Sequence, residues 1–110
     1  MESPSGKLLV YTSSFTSHGK RLTHVSSAVE KMAKVLKANV EVVTFRKKFM
    51  PIYVYYKNGD EEPIPIYYNN GEKSETQEIY VTLRNMMFVL SFHPKHAMLR
   101  HLRKEIMQFS

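Results

Sequence analysis

The chain contains no cysteine and only four glycines. It also has no apolar stretch approaching the roughly 20 residues that cross a bilayer. Without cysteine, disulfide frameworks and cysteine-containing zinc sites are excluded, and nothing calls for an oxidising compartment. Four scattered glycines cannot build the glycine-rich loop that turns several backbone N–H groups onto a phosphate. No charged-then-apolar leader, transmembrane segment, internal repeat or low-complexity tract is read, and the expected location is cytoplasmic or nuclear. Acidic residues are the scarcer charge, ten Asp+Glu against 16 Lys+Arg, for a net +6. Such an excess points to an anionic partner but says nothing about fold or reaction.

What remains is 110 residues, 43% of them hydrophobic. That is enough for one core and too little for two typical domains. Residues 1–6 read as a flexible lead-in, because Ser, Pro and Gly favour turns. Residues 7–110 read as a single α+β domain. Lys7–Phe15 is predicted as a strand. Leu22, Val25, Val29, Met32 and Leu36 recur at steps of three and four and predict a helix, closed at Asn39. Val40–Phe49 and Ile52–Lys57 follow as strands separated by Pro51. Asn58-Gly59 and Asn70-Gly71 mark turns on either side of a strand over Glu62–Tyr68.

Parity constrains the first turn. A connection of odd length with Gly59 in the left-handed region brings Ile52, Val54, Ile64 and Ile66 onto one face, so a bulged hairpin is predicted. Pro63 and Pro65 lack N–H groups on one side of their strand, which suits an open edge. Glu78–Arg84 alternates, with Ile79, Val81 and Leu83 inward, and predicts a further strand. Met86–Phe92 predicts another, reached by a turn near Asn85. A last helix is expected from Pro94, with Leu99, Leu102, Ile106 and Phe109 as its stripe. The expected architecture is thus α+β, in the order β-α-β-β-β-β-β-α. It has an antiparallel-rich sheet of five to six strands with two helices on one face.

Catalytic and metal chemistry find little support. His93, His96 and His101 cluster near the last helix, but Glu105 is the nearest carboxylate, and a metal normally needs three or four ligands. Ser13, Ser14, His18 and His24 lack an elbow glycine and a partnered acid. A non-enzymatic protein without metal or cofactor is expected.

Surface chemistry is more informative. Alternation places Tyr53, Tyr55, Lys57, Tyr67, Tyr80 and Arg84 on the sheet face away from the helices. Rings on a sheet stack unpaired bases while cations hold phosphates, so RNA, single-stranded, is the expected partner. Arg46, Lys47 and Lys48 add a basic run, and Lys95, Arg100, Arg103 and Lys104 a cationic strip on the last helix. That strip also suits anionic phospholipid headgroups. Charge is segregated along the chain: ten basic and three acidic residues in 1–58, one and six in 59–79, five and one in 80–110. The acidic stretch holds Asp60, Glu61, Glu62, Glu72, Glu75 and Glu78. Asp60, Glu61 and Glu62, with Ile64 and Ile66 on the predicted edge, form a candidate protein-interaction surface. It would serve another protein or, as a homo-oligomer, a second copy using its basic helix.

Val10–Phe15 (VYTSSF) partly resembles the first-strand signature of RNA recognition motifs, from which Thr12 and Ser14 depart, and no companion glycine-aromatic signature follows. The layout also resembles the lipid-binding kinase-associated C-terminal domains and the Alu-binding proteins of the signal recognition particle. No specific motif carries either likeness, and no family or site residue is assigned from them.

Overall fold

The computed structural model describes residues 6–14, 19–48, 50–70 and 75–108, with side chains for all of these except 19–21, Lys95, Ala97, Met98 and Gln108. Strand β1 (Gly6–Ser13) leads to helix α1 (Gly19–Leu36), then β2 (Asn39–Phe45), β3 (Ile52–Asn58), β4 (Ile64–Asn69) and helix α2 (Thr76–Leu90). A 3₁₀ turn at Pro94–His96 and two short helices, α3 (Ala97–His101) and α4 (Arg103–Gln108), complete the described chain. The sheet has four strands in the order β2-β1-β3-β4. β1 and β2 are parallel, and β3 is antiparallel to both of its neighbours.

The core lies between one face of this sheet and the helices. Alternation in β1 sends Leu8, Val10 and Thr12 into it, and alternation in β3 does the same for Ile52, Val54 and Tyr56. From α1 come Val25, Val29, Met32 and Leu36, the expected stripe, joined by Ala28 and Ala33. Leu99 and Ile106 close the far side. The turn out of α1 differs from expectation. Lys37, not Asn39, adopts the left-handed conformation, with φ 56°. The Ala38 N–H donates to the Ala33 carbonyl at 3.0 Å, which is the long bond of a Schellman closure.

The larger correction concerns 78–92. The two strands expected there are one helix, α2, so the sheet has four strands rather than five or six. Ile79, Val81 and Leu83 alternate, but Ile79, Tyr80, Leu83 and Met87 also fall at helical spacing, and these four are the buried ones. Glu75 and Glu78, expected in a polar loop and a strand, start the helix: the Glu75 N–H donates to Glu78 Oε1 at 3.1 Å. Asn85, expected in a turn, is an exposed residue of the helix. Burial of one apolar stripe against α1 outweighs the strand preference of Ile, Tyr, Val and Thr. The last helix is broken at Leu102 into α3 and α4. Phe109, Gly71 and Glu72 lie outside the described residues, as do His18 and most of the 1–6 lead-in.

The hairpin connection from β3 to β4 has the odd length expected. Gly59 has φ 62°, and the Glu61 N–H donates to the Asn58 carbonyl at 3.1 Å. A second irregularity was not foreseen: the register shifts between Val54 and Tyr55, so Ile66 is an extra residue in β4. Tyr67 then pairs with Val54 and Tyr68 with Tyr53. The bulge lets Ile64, Ile66 and Tyr67 all turn toward the helices. It sends Tyr68 to the opposite face, where Tyr67 was expected.

Two outcomes follow from these details. Replacing Lys37 by Gly removes a left-handed L-residue and raises stability by roughly 0.5 kcal/mol in denaturant unfolding, once the extra freedom of glycine in the unfolded chain is set against the gain. Burial pushes the Tyr56 hydroxyl above its ordinary value, helped by the charge of Glu61. Burial does the same to Tyr80, opposed by the Arg84 cation. Unfolded tyrosines therefore ionise first. Stability is constant with respect to these groups below about pH 10 and falls as pH rises from there through their raised values, which phenolate absorbance paired with unfolding curves will show.

Candidate nucleic-acid interface

The face of the sheet turned away from the helices carries five aromatic rings in a connected row. Phe45 of β2 meets Tyr11 of β1 at 5.7 Å between centroids, and Tyr11 meets Tyr55 of β3 at 5.2 Å. Tyr55 lies 6.4 Å from Tyr53, which lies 5.3 Å from Tyr68 of β4. The row runs across all four strands. Strand alternation produces it, since Tyr11 sits between core residues Val10 and Thr12, and Tyr53 and Tyr55 flank core residue Val54. Phe45 is 40% and Tyr68 50% exposed. No described helix lies over these rings, because α1 and α2 pack against each other on the opposite face.

At one end of the row the surface dips into a depression of about 270 Å³ lined by Tyr11, Phe45, Lys47, Met50, Tyr53 and Tyr55. The Lys47 backbone is tied to β1 through its carbonyl, which accepts a hydrogen bond from the Ser13 hydroxyl. Arg46 and Lys48, both exposed, flank it. At the other end of the strands Lys7 pairs with Glu41 at 3.1 Å, and Lys57 is half-buried on β3. The pair is solvated and contributes little to stability.

Of the residues expected on the aromatic face, Tyr53, Tyr55 and Lys57 are there. Tyr67 and Tyr80 are not. Tyr67 faces the helices and its hydroxyl oxygen accepts from Asn69 Nδ2 at 3.0 Å. Tyr80 is fully buried on α2, with Lys31 Nζ 4.4 Å from its ring centre. Arg84 follows Tyr80 onto α2 and is half-buried there. Tyr11 and Phe45, not among the residues expected here, reach this face by alternation in β1 and β2. Tyr68 was hidden by the bulge, which no local residue announces.

The cationic strip divides. Arg100 and Lys104 are exposed on α3 and α4, whereas the Lys95 side chain lies outside those described. Arg103 has a structural task. Its Nε donates to Ser91 Oγ at 3.0 Å, its Nη2 to the Ser91 carbonyl at 2.9 Å, and its guanidinium lies 3.7 Å over the Phe92 ring. It thereby satisfies the C-terminal end of α2, where a cation also suits the helix dipole. These basic groups belong to the helix layer and do not join the rings into one surface.

Asp60, Glu61 and Glu62 are exposed in the β3–β4 turn, and β4 is an edge strand as its prolines suggested. Ile64 is half-buried and Ile66 buried, so neither side chain forms an exposed contact patch on that edge. His24 Nδ1 lies 2.9 Å from Thr76 Oγ1 and ties α1 to α2. The His93 and His96 rings meet at 5.4 Å, tilted by 49°, and His96 is buried against Tyr56. No cluster of three or more metal-ligating side chains occurs among the described residues, and no described helix is long and apolar enough to cross a membrane.

Arg103→Lys keeps the charge and loses the fork. It is expected to lower stability by roughly 1 kcal/mol in denaturant titration, with no change at the distant aromatic face. Compared with protein-family models, curated proteins and solved structures, the chain matches none.

Proposed function

We propose that this chain is a non-enzymatic binding domain that holds single-stranded RNA on its aromatic sheet face. One observation carries the reading: five rings in mutual contact occupy the face that no described helix covers. Flat rings bordered at one end by Arg46, Lys47 and Lys48 match the chemistry of an unpaired strand, whose bases stack and whose phosphates seek cations.

The acidic hairpin repels phosphates, and its distance from the basic run limits that repulsion. β1 is antiparallel to β3, so Tyr11 and Tyr53 share one end of the sheet while the 58–61 turn lies at the other. Five steps of extended strand separate Tyr53 from Asn58, about 17 Å, and the acidic turn lies beyond. Screening at physiological salt acts over about 8 Å, so phosphates near Arg46, Lys47 and Lys48 feel little of the acidic turn.

A competing reading, association with a protein or a second copy, is favoured by the state of β2. This edge carries no proline and no bulge, and it exposes Val40 and Val42 at 38% and 53%. Such an edge invites a further strand. The acidic β4 edge suits that role less, because its prolines and bulge obstruct pairing.

Titration with a short single-stranded RNA at two salt concentrations separates the readings. RNA binding is expected to weaken about tenfold or more from low to physiological salt for a few released counterions, while anionic and neutral vesicles give equal, weak sedimentation. Absence of RNA binding at low salt defeats the proposal, and association that grows with protein concentration under those conditions supports the strand-edge reading.

A further inference from the structure

We infer that the depression at the basic end of the aromatic row is a seat for one unpaired base, with the neighbouring phosphate held by Lys47. The inference rests on the RNA reading above and narrows it from a face to a position.

Size comes first. At about 270 Å³ the depression falls just below the roughly 300–1,000 Å³ of sites that enclose drug-sized molecules, so it is large enough to accept a flat heterocycle. Shape points the same way. The rings that line it are inclined to one another, Tyr11 to Tyr55 by 76°, Tyr11 to Phe45 by 47° and Tyr53 to Tyr55 by 43°. Inclined rings do not form one continuous platform for a run of bases. They form walls, so that a single planar group lies against one ring and meets the electropositive edges of others. Met50 completes the lining with a side chain that adapts to either base size.

Charge then orients the ligand. Among the described residues Lys47 is the only cation lining the depression, and its backbone carbonyl accepts from the Ser13 hydroxyl of β1. This tie sets where the exposed Lys47 side chain leaves the backbone, beside a lining that is mostly aromatic. A neutral aromatic ligand would leave this cation without a role, and a bare phosphate would leave the four rings without one. A nucleotide unit within a strand uses both. Tyr68 lies outside the lining, beyond Tyr53 on the β4 edge, and is the natural contrast residue on the same face.

The test uses fluorescence anisotropy of a labelled short single-stranded RNA, with circular dichroism confirming that each variant is folded. Phe45→Ala is expected to weaken binding roughly five- to hundredfold, the span of one lost base stack, and Tyr68→Ala less than about twofold. Lys47→Gln is expected to lower the slope of affinity against salt by about one ion. An abasic unit introduced at successive positions of the oligonucleotide is expected to cost affinity mainly at one of them. Tight binding with equal losses for Phe45→Ala and Tyr68→Ala, or equal losses at every abasic position, overturns the seat and leaves the RNA reading standing. No RNA binding at low salt overturns both. Saturable binding of an acidic, tyrosine-bearing peptide that RNA does not displace assigns the depression to a protein ligand and also overturns the seat.

Discussion

Six residues, 46–51, carry the chain from β2 past the end of β1 to β3, and that length decides what covers the sheet. Two strand spacings, about 10 Å, must be crossed. A covering helix needs more chain than that, since crossover connections that include one run to a dozen or more residues. The link from β1 to β2 is long enough for α1, and the segment after β4 supplies α2, but both pack on the same face. One face of the sheet is consequently built into a core and the other is left with whatever alternation sends to it. Here alternation sends rings.

An aromatic face that no described helix covers has a cost in water, and the packing among the rings limits it. Each ring contacts its neighbour at 5.2–6.4 Å, edge-on or tilted, so the side chains shield one another. Leu9, in register between Glu41 and Tyr55 on the same face, is only 6% exposed without belonging to the main core. The row is thus a small second cluster that holds its rings together while Phe45 and Tyr68 stay exposed. The charge distribution fits this division of labour. The net +6 is not spread evenly: the basic run follows β2 at the depression, and the acidic turn caps the far end of β3 and β4.

Much of this was legible in the residues, and the failures have specific causes. The α1 stripe, the inward faces of β1 and β3 and the edge status of β4 follow from spacing and from proline chemistry. Helix α2 was misread because Ile79, Val81 and Leu83 satisfy a period of two while Ile79, Tyr80, Leu83 and Met87 satisfy 3.6, and only packing against α1 chooses between them. Read as strand, this segment puts Tyr80 and Arg84 on the sheet face and splits one helix into two strands. Arg103 looked like a free cation because its partners, Ser91 and Phe92, lie in a segment read as strand.

The bulge in β4 shows how one residue can set both the core and the candidate site. Paired from the turn without interruption, Ile64 and Ile66 face the helices, Tyr67 faces out, and Tyr68 turns inward. Ile66 as an extra residue breaks that alternation after Pro65. Tyr67 then adds its ring to the helix side and its hydroxyl to Asn69, while Tyr68 extends the outer row beyond Tyr53. The same irregularity twists an edge that already carries prolines and acids, making it a poor template for another strand. With β4 obstructed, the edge left accessible is β2, which also supplies Phe45 to the depression. A strand added at β2 and a base seated beside Phe45 would therefore contend for adjoining surface, and occupation of one should disfavour the other.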